Sequence, residues 1–189
     1  MPDGSVTVAM TEPARVKIPA LETERLALRG PSAQDFPAYR AFYGDAEASA
    51  FYGGPLAPEA AWRRLAQDIG HWALKGFGIW SLVERASGET VGGCGLVHPE
   101  GWPRSELTWW VAPAARRQGY ALEASRAAIT FGYGTLRWPR VETHMKDENT
   151  AARRLAEALG GQVIARETFP DGIARNVYAL PRPSAGDAG

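Results

Sequence analysis

Apolar residues recur along the chain with two different spacings, and the changes of spacing divide it into alternating strands and helices. Between residues 58 and 75, large apolar residues stand three or four positions apart, which predicts an amphipathic helix that ends at Gly76. Short runs of aromatic and β-branched residues, bounded by turn residues, predict strands instead. The seven predicted strands lie around Leu26 and Leu28 and at residues 77–84, 90–97, 105–111, 141–145, 162–168 and 176–180.

Three further helices complete the predicted set. The first begins at Ser32, whose side chain is suited to an N-cap, with Asp35 three residues later as in a capping box. The second follows the fourth strand and ends near Gly132, and the third spans residues 149–159. Strands and helices interleaved in this order, with a hairpin at each end, predict an α/β (α+β) fold in which helices cover one mixed sheet.

The segment between the fourth strand and the third helix carries the strongest functional signal. A strand, a loop containing Gly119 and a helix start leave several backbone N–H groups unpaired, and the helix dipole adds partial positive charge. Arg116 and Arg117 add full charges, so the segment predicts an anion site, most naturally for phosphate. It lacks both the Walker and the dinucleotide-binding glycine patterns. An ordinary turn into a helix is the alternative interpretation.

Composition narrows the class of protein. The 189 residues are 45% hydrophobic and 22% charged, which is typical of one soluble domain. A formal net charge of zero argues against a nucleic-acid partner. No apolar run reaches membrane-spanning length and residues 1–20 lack a secretory signal, so we expect a cytoplasmic protein without a membrane partner. The single cysteine, Cys94, lies in a predicted strand, which favours a core position over a nucleophile.

The chain is predicted to form a single domain over residues 20–181. Residues 1–19 and 182–189 lack periodicity and contain Pro and Gly, which predicts flexible tails. The three histidines are dispersed without metal-ligand spacing, so no metal is expected. We expect a monomer or a homodimer.

The motif Arg116-x-x-Gly119-x-Ala121 resembles the [Gln/Arg]-x-x-Gly-x-[Gly/Ala] signature of the GNAT acyltransferases. Residues 106–111 and the loop after them resemble the RimJ/RimL-type branch, the protein and ribosomal-protein N-acetyltransferases. Residues 149–160 resemble that branch's motif after the fifth strand, and residues 21–29 resemble its opening strand. The three blocks stand in the family's order and together cover about residues 20–181.

This resemblance implies the GNAT fold, with one mixed, mostly antiparallel sheet of about seven strands and four main helices on its faces. Strands four and five would run parallel and splay apart, so that acetyl-CoA binds in the gap like an added strand. Its pantetheine arm would pair with the backbone of Trp110 and Val111, and its pyrophosphate would contact the N–H groups from Arg117 to Ala121. The implied coenzyme-binding residues are Trp110, Val111, Arg116, Arg117, Gln118, Gly119, Tyr120, Ala121, Asn149 and Arg153, with the Tyr120 ring directed into the core.

The implied reaction transfers an acetyl group from acetyl-CoA to a primary amine, of a protein or peptide N-terminus or of a small molecule. Glu106 is the candidate base, because an ammonium group cannot attack; a structural carboxylate is the alternative. The Val111 N–H is the candidate oxyanion donor. Asn149 is the second candidate catalytic residue or only the N-cap of the fourth helix. Trp80 and Trp109 are candidates for binding the acceptor.

Two positions depart from the family pattern. Ala156 stands where many members have a tyrosine that acts as a general acid, and Ala152 where many RimJ/RimL-type enzymes have a serine. The thiolate that leaves the coenzyme therefore has no assigned proton donor: either water takes that role, or another residue enters the pocket, or turnover is slow. The same departure leaves open a second function, a regulatory GNAT-fold module that binds acyl-CoA without catalysis. His144, on the fifth strand near the cleft, is interpreted as a packing residue, with a secondary acid or base role as the less favoured alternative.

Overall fold

The computed structural model of the protein describes residues 16–183, which form eight strands and four α-helices. The strands are β1 (Leu21–Glu22), β2 (Leu26–Arg29), β3 (Ile79–Glu84), β4 (Thr90–Val97), β5 (Glu106–Val111), β6 (Val141–Met145), β7 (Gln162–Thr168) and β8 (Ala174–Leu180). The helices are α1 (Phe36–Gly44), α2 (Pro58–Lys75), α3 (Tyr120–Gly134) and α4 (Thr150–Ala158). All seven predicted strands and all four predicted helices are present, and the predicted fourth and fifth strands are β5 and β6.

The strands are hydrogen-bonded in two antiparallel sheets that meet along β5 and β6. The larger sheet has the order β1-β2-β3-β4-β5 and the smaller has the order β6-β8-β7. β1, which sequence patterning did not predict, contributes two residues that pair with β2. The predicted sheet of strands is therefore present, but its backbone hydrogen bonds are interrupted between β5 and β6, the predicted splayed pair.

β5 and β6 lie side by side and run in the same direction. Arg104, just before β5, lies 2.7 Å from Glu142, and two residues further along both strands Glu106 lies 2.6 Å from His144. One β6 threonine hydroxyl also donates to the Leu107 carbonyl oxygen at 2.9 Å. Within the described residues no backbone ladder joins the two strands, which confirms the splayed, parallel pair.

The two tryptophans of β5 point to opposite faces of the larger sheet, as successive strand residues do. Trp109 belongs to the main core, which includes buried side chains of α3, α4 and β6. Trp110 packs into a second cluster formed by α1 and α2, with its ring centroid 4.6 Å from that of Tyr39. Gly93 on β4 makes this possible, because a β-carbon there would lie 2.3 Å from the Trp110 indole nitrogen.

The carboxylate of Asp35 connects the start of α1 to three strands. It is fully buried and accepts hydrogen bonds from Arg29 on β2, Ser81 on β3 and Thr90 on β4, and from the Ser32 backbone N–H at 2.8 Å. Burial alone would raise the pKa of Asp35, but these donors, Arg29 foremost, hold the pKa below its ordinary value. The predicted capping residue therefore also anchors α1 to the sheet.

Residues near both ends of the described range contact the domain. Ile18 packs against the main core, and the Trp80 indole N–H donates to the Pro19 carbonyl at 2.7 Å. Arg182 lies over the Tyr133 ring, 4.5 Å from its centroid. These contacts extend the folded unit a few residues past the predicted domain, and the rest of both predicted tails lies outside the described residues. None of the helices described is long and apolar enough to cross a membrane.

Candidate active site

Two cavities open on the splayed strands and meet beside β5. The larger, about 850 Å³, extends along the loop before α3, and the smaller, about 410 Å³, is lined by parts of α2, β5 and β6. Cavities of these sizes accommodate small-molecule ligands. Five residues line both cavities and so mark the junction between them: Phe51, Tyr52, Trp109, Asn149 and Ala152.

The loop before α3 has the geometry of an anion site. Its backbone turns at Arg117 (φ +63°) and Gly119 (φ +82°), and the 15-residue helix begins at Tyr120. Within residues 16–183, the N–H groups from Arg117 to Leu122 make no hydrogen bond. The predicted loop residues, Arg116 to Ala121, all line the larger cavity. A row of free N–H groups at a helix start, next to two arginines, attracts phosphate.

A brace formed by Thr23, Arg25 and Glu123 holds this loop in place. The Arg25 guanidinium donates to the Gln118 carbonyl (Nη1–O 2.7 Å) and to Glu123 (Nε–Oε2 2.7 Å). Glu123 also accepts from the Thr23 hydroxyl at 2.6 Å. Burial alone would raise the pKa of Glu123, but these donors hold it below its ordinary value. No local pattern predicts the brace, because Thr23 and Glu123 are 100 positions apart; an acidic residue in the first helical turn is its only signal.

Backbone groups of β5 point alternately toward β4 and toward the gap beside β6. The Ala112 N–H bonds to a β4 carbonyl at 2.9 Å, whereas the carbonyls of Leu107 and Trp109 accept side-chain hydroxyls on the other side. By this alternation the peptide groups of Val111 face the gap, and those of Trp110 face β4. Of the two predicted backbone contacts to the coenzyme, the geometry therefore supports Val111 and not Trp110, whose peptide groups face the β4 ladder.

Glu106 and His144 form a close pair in the smaller cavity. Glu106 Oε2 lies 2.6 Å from His144 Nε2, within hydrogen-bond distance, and the side chains are only 17% and 5% exposed. The His144 ring also packs against Phe169, with centroids 4.2 Å apart. The interpretation of His144 as a packing residue is therefore incomplete, because it also contacts the candidate base. A carboxylate–imidazole pair open to a cavity is able to accept a proton from a ligand.

A second carboxyl group, that of Asp68 on α2, also lines the smaller cavity. Its Oδ2 accepts a hydrogen bond from the Tyr39 hydroxyl at 2.7 Å. Burial raises the pKa of Asp68 to about 7, and the hydrogen bond from Tyr39 and the nearby charge of Arg64 only partly oppose this. Asp68 has no sequence signal beyond a polar position in a helical pattern, because its burial depends on how α2 packs.

Two predicted site residues lie away from both cavities. Trp80 is fully buried, with its ring centroid 4.9 Å from that of Trp72 and 5.0 Å from that of Phe131. It is a core residue rather than an acceptor contact, because its strand turns that side chain into the main core. Arg153 lies on the outer face of α4, 4.0 Å from Glu157, because the opposite face of the helix lines the larger cavity.

The remaining predicted residues are close to the cavities. Asn149 lies at the junction, and its Oδ1 accepts the Ala152 N–H at 3.1 Å, so it does cap α4. Trp109 also lies at the junction. Tyr120 lines the larger cavity while its hydroxyl donates to Glu84, which directs the ring into the protein as expected. Among the described residues, no group of three potential metal ligands comes together.

This arrangement, an open strand edge followed by a loop with free N–H groups, fits the class of acyltransferases that the sequence motif resembles. The chain belongs to the GNAT acetyltransferase family, since the family's model, described as "Acetyltransferase (GNAT) domain", matches residues 25–162.

Individual proteins of the family resemble the chain over most of its length. YoaA of Bacillus subtilis (strain 168), an uncharacterised N-acetyltransferase, is 26% identical over 173 residues, covering 87% of this chain and 98% of its own. The crystal structure of an acetyltransferase from Agrobacterium tumefaciens str. C58 matches with a TM-score of 0.79 and 30% identity, over 91% of this chain and 99% of that one. RimL, a ribosomal L7/L12 α-N-protein acetyltransferase, shares the fold with a TM-score of 0.69 at 14% identity, over 90% of this chain and 98% of its own. The predicted GNAT fold and acetyltransferase class are confirmed.

Proposed function

We propose that the protein transfers an acetyl group from acetyl-CoA to a primary amine by direct attack within a ternary complex. The observation that carries this proposal is the junction of two cavities at the open edge of β5. An anion loop borders the larger cavity, and the Glu106–His144 pair lies in the smaller one. The larger cavity thus suits a phosphate-bearing thioester, and the smaller cavity suits the amine that attacks it.

Three features of the larger cavity support acetyl-CoA as its ligand. The N–H groups from Arg117 to Leu122 offer hydrogen bonds to a pyrophosphate, and Gly119 places no β-carbon in front of them. Arg116 is only loosely engaged, with Nη1 3.9 Å from the highly exposed Glu47, and so is available to a phosphate. The Val111 peptide, which faces the gap, offers strand-like hydrogen bonds to the pantetheine arm.

The residues of the junction support a direct reaction. The amine nitrogen forms a bond to the thioester carbon as the C–S bond breaks, and Glu106 with His144 accepts the proton that the amine loses. The Val111 N–H is the donor for charge that develops on the thioester oxygen. The only cysteine in the sequence, Cys94, is fully buried and lines neither cavity, which favours direct transfer over a covalent acyl-enzyme.

The proposed acceptor is the primary amine of a peptide N-terminus or of a small molecule. RimL acts on the N-terminus of ribosomal L7/L12, but this chain shares only its fold, so both acceptor classes belong in the assay. Purified protein with acetyl-CoA should release thiol on a panel of N-terminal peptides, polyamines, amino acids and aminoglycosides, and acetyl-CoA should raise its Tm.

The outcomes of this assay separate the alternatives. Turnover of at least one amine, with one acetylated product per thiol released, supports the proposal. Coenzyme binding without turnover on any amine would instead identify a non-catalytic acyl-CoA-binding module. If acetyl-CoA does not change Tm, the larger cavity is not a coenzyme site.

A further inference from the structure

The proposed reaction leaves a thiolate that needs a proton, and α4 supplies none. The positions where the family's tyrosine and serine would stand are Ala156 and Ala152, which are 0% and 6% exposed. The other α4 residues that line the larger cavity, Ala151 and Leu155, also lack a dissociable proton. If a side chain rather than water donates this proton, it comes from another element that reaches the junction of the two cavities.

Among the described residues, one side chain at that junction carries a suitable proton. Phe51, Trp109 and Ala152 have no acidic group. The carboxamide of Asn149 is not an acid, and its oxygen is engaged at the start of α4. The remaining junction residue is Tyr52, which lies in the loop between α1 and α2.

Several contacts fix the Tyr52 hydroxyl at the open edge of β5. The hydroxyl donates to the Trp109 carbonyl at 2.5 Å, two residues before Val111. The ring packs edge-on against Phe42, with centroids 5.1 Å apart, and the Tyr52 backbone N–H donates to the Ser49 carbonyl at 2.8 Å. The phenol is therefore held on the same side of β5 as the peptide groups proposed to bind the pantetheine arm.

We propose that the Tyr52 hydroxyl is the proton donor to the sulfur that leaves the coenzyme, an inference that rests on the proposed acetyl transfer. As the C–S bond breaks, its electron pair goes to sulfur, and the Tyr52 proton passes to sulfur so that a free thiol departs. The proton that Glu106 removed from the amine then restores the phenol, directly or through water. Atoms and charge balance, and no further reactant is needed.

The surroundings of Tyr52 keep this proton in place until it is needed. Burial raises the pKa of the Tyr52 phenol, and the negative charge of Glu106 raises it further. The charge of Arg116 opposes this, and Cys94 adds a small upward contribution. The phenol is therefore protonated at neutral pH. The Tyr52 hydroxyl contacts the carbonyl of Trp109, three residues after Glu106 on β5, and both side chains line the smaller cavity, so the proposed acid and base share one cavity, as a proton return requires.

The test compares Tyr52→Phe with Tyr133→Phe. Tyr133 also donates to a backbone carbonyl, that of Leu180 at 2.6 Å, and accepts the Val141 N–H at 3.2 Å, but it lines neither cavity, so its variant measures the effect of losing such hydrogen bonds away from the site. With an acceptor found in the amine panel, Tyr52→Phe should lower kcat about 100-fold. Its Kd for coenzyme A, measured by calorimetry, should stay within about threefold of wild type. Tyr133→Phe should retain the wild-type kcat.

A third protein, with a fluorinated tyrosine at position 52, separates chemistry from structure. Its phenol ionises at lower pH, so kcat should fall on the basic side at a lower pH than in wild type, while the Kd for coenzyme A does not change there. Wild-type kcat in Tyr52→Phe would overturn the assignment while leaving the proposed function intact. A parallel loss of coenzyme affinity would assign Tyr52 a structural role and also overturn it. If wild type acetylates no amine, both proposals fail.

Discussion

Glu106 and Asp68, two of the three carboxyl groups that the described residues contribute to the smaller cavity, have different surroundings, and the difference favours different roles for them. Glu106 Oε2 lies 2.6 Å from an imidazole nitrogen, which would offer a second site to a proton taken from the amine. Asp68 has only a hydroxyl partner, and burial raises its pKa to about 7, so it is partly protonated at neutral pH. Glu106 lies on β5, three residues before the Trp109 carbonyl that the Tyr52 hydroxyl contacts at the junction, whereas Asp68 is hydrogen-bonded to Tyr39, which lines neither cavity. Glu106 is therefore the carboxylate nearer the proposed reaction.

Glu106→Gln tests that role. A glutamine keeps the size of the side chain and can donate to His144 Nε2, but it cannot accept the amine proton. We expect kcat to fall about 100-fold, with an unchanged Kd for coenzyme A because Glu106 does not line the larger cavity. Glu167→Gln is the control, since Glu167 pairs with Arg104 and lines neither cavity. Wild-type turnover of Glu106→Gln at saturating acceptor would remove Glu106 from the mechanism.

At the scale of elements, β5 and the loop after it combine three tasks in one short segment. Trp109 and Trp110 fix the strand from both faces, one in each hydrophobic cluster. The strand pairs with β4 on one side only, which leaves its other edge open. The loop then turns at Gly119, and the brace from Arg25 holds the turn against α3. The open edge thus depends on tight packing elsewhere, because an unsupported strand edge and loop would not keep one shape.

Gly119→Trp tests the loop, with Gly88→Trp as its matched control. Both glycines have similar positive φ, +82° and +76°, so either substitution costs about 1–2 kcal/mol of backbone strain. A β-carbon at Gly88 has no neighbour within 4 Å, and one at Gly119 meets only Arg25 at 3.4 Å, so both variants should fold with a similarly lowered Tm. Only Gly119→Trp should lose coenzyme binding, because its indole covers the free N–H groups. Thermal shift with acetyl-CoA measures this, and retained affinity in Gly119→Trp would contradict the loop assignment.

At the scale of the whole molecule, local sequence patterns predicted the bounds of the helices and strands better than the tertiary contacts of their side chains. α2 has the predicted bounds, because its apolar period and Gly76, in the left-handed conformation at φ +75°, are both local signals. Trp80 was misplaced because strand alternation predicts that successive side chains take opposite faces but not which face meets the cleft. The positions of Tyr52 and Asp68 were not predictable, since Tyr52 meets the Trp109 carbonyl 57 positions away in the chain and the burial of Asp68 depends on how α2 packs against α1.

The buried carboxyl group of Asp35 makes the free energy of unfolding of the whole domain depend on pH. Its pKa is lowered in the folded protein, so the unfolded chain, with an ordinary pKa of about 3.9, takes up a proton first as the pH falls. The stabilisation that the ionised Asp35 carboxylate contributes is therefore complete above about pH 4, and it is lost as the pH falls through the pKa of Asp35 in the folded protein. Asp35→Asn leaves Arg29 without its charged partner and should cost about 2–3 kcal/mol at pH 7.

The pH dependence of that loss separates a charge effect from a packing effect. The Tm difference between wild type and Asp35→Asn should be about 5–10 °C at pH 7, stay constant to about pH 5, and narrow below about pH 4. Asp147→Asn is the control: Asp147 also pairs with an arginine, Arg166, but its side chain is 53% exposed, so its variant should melt close to wild type throughout. Parallel Tm curves for wild type and Asp35→Asn down to pH 3 would show that Asp35 stabilises the fold through shape and not through its charge.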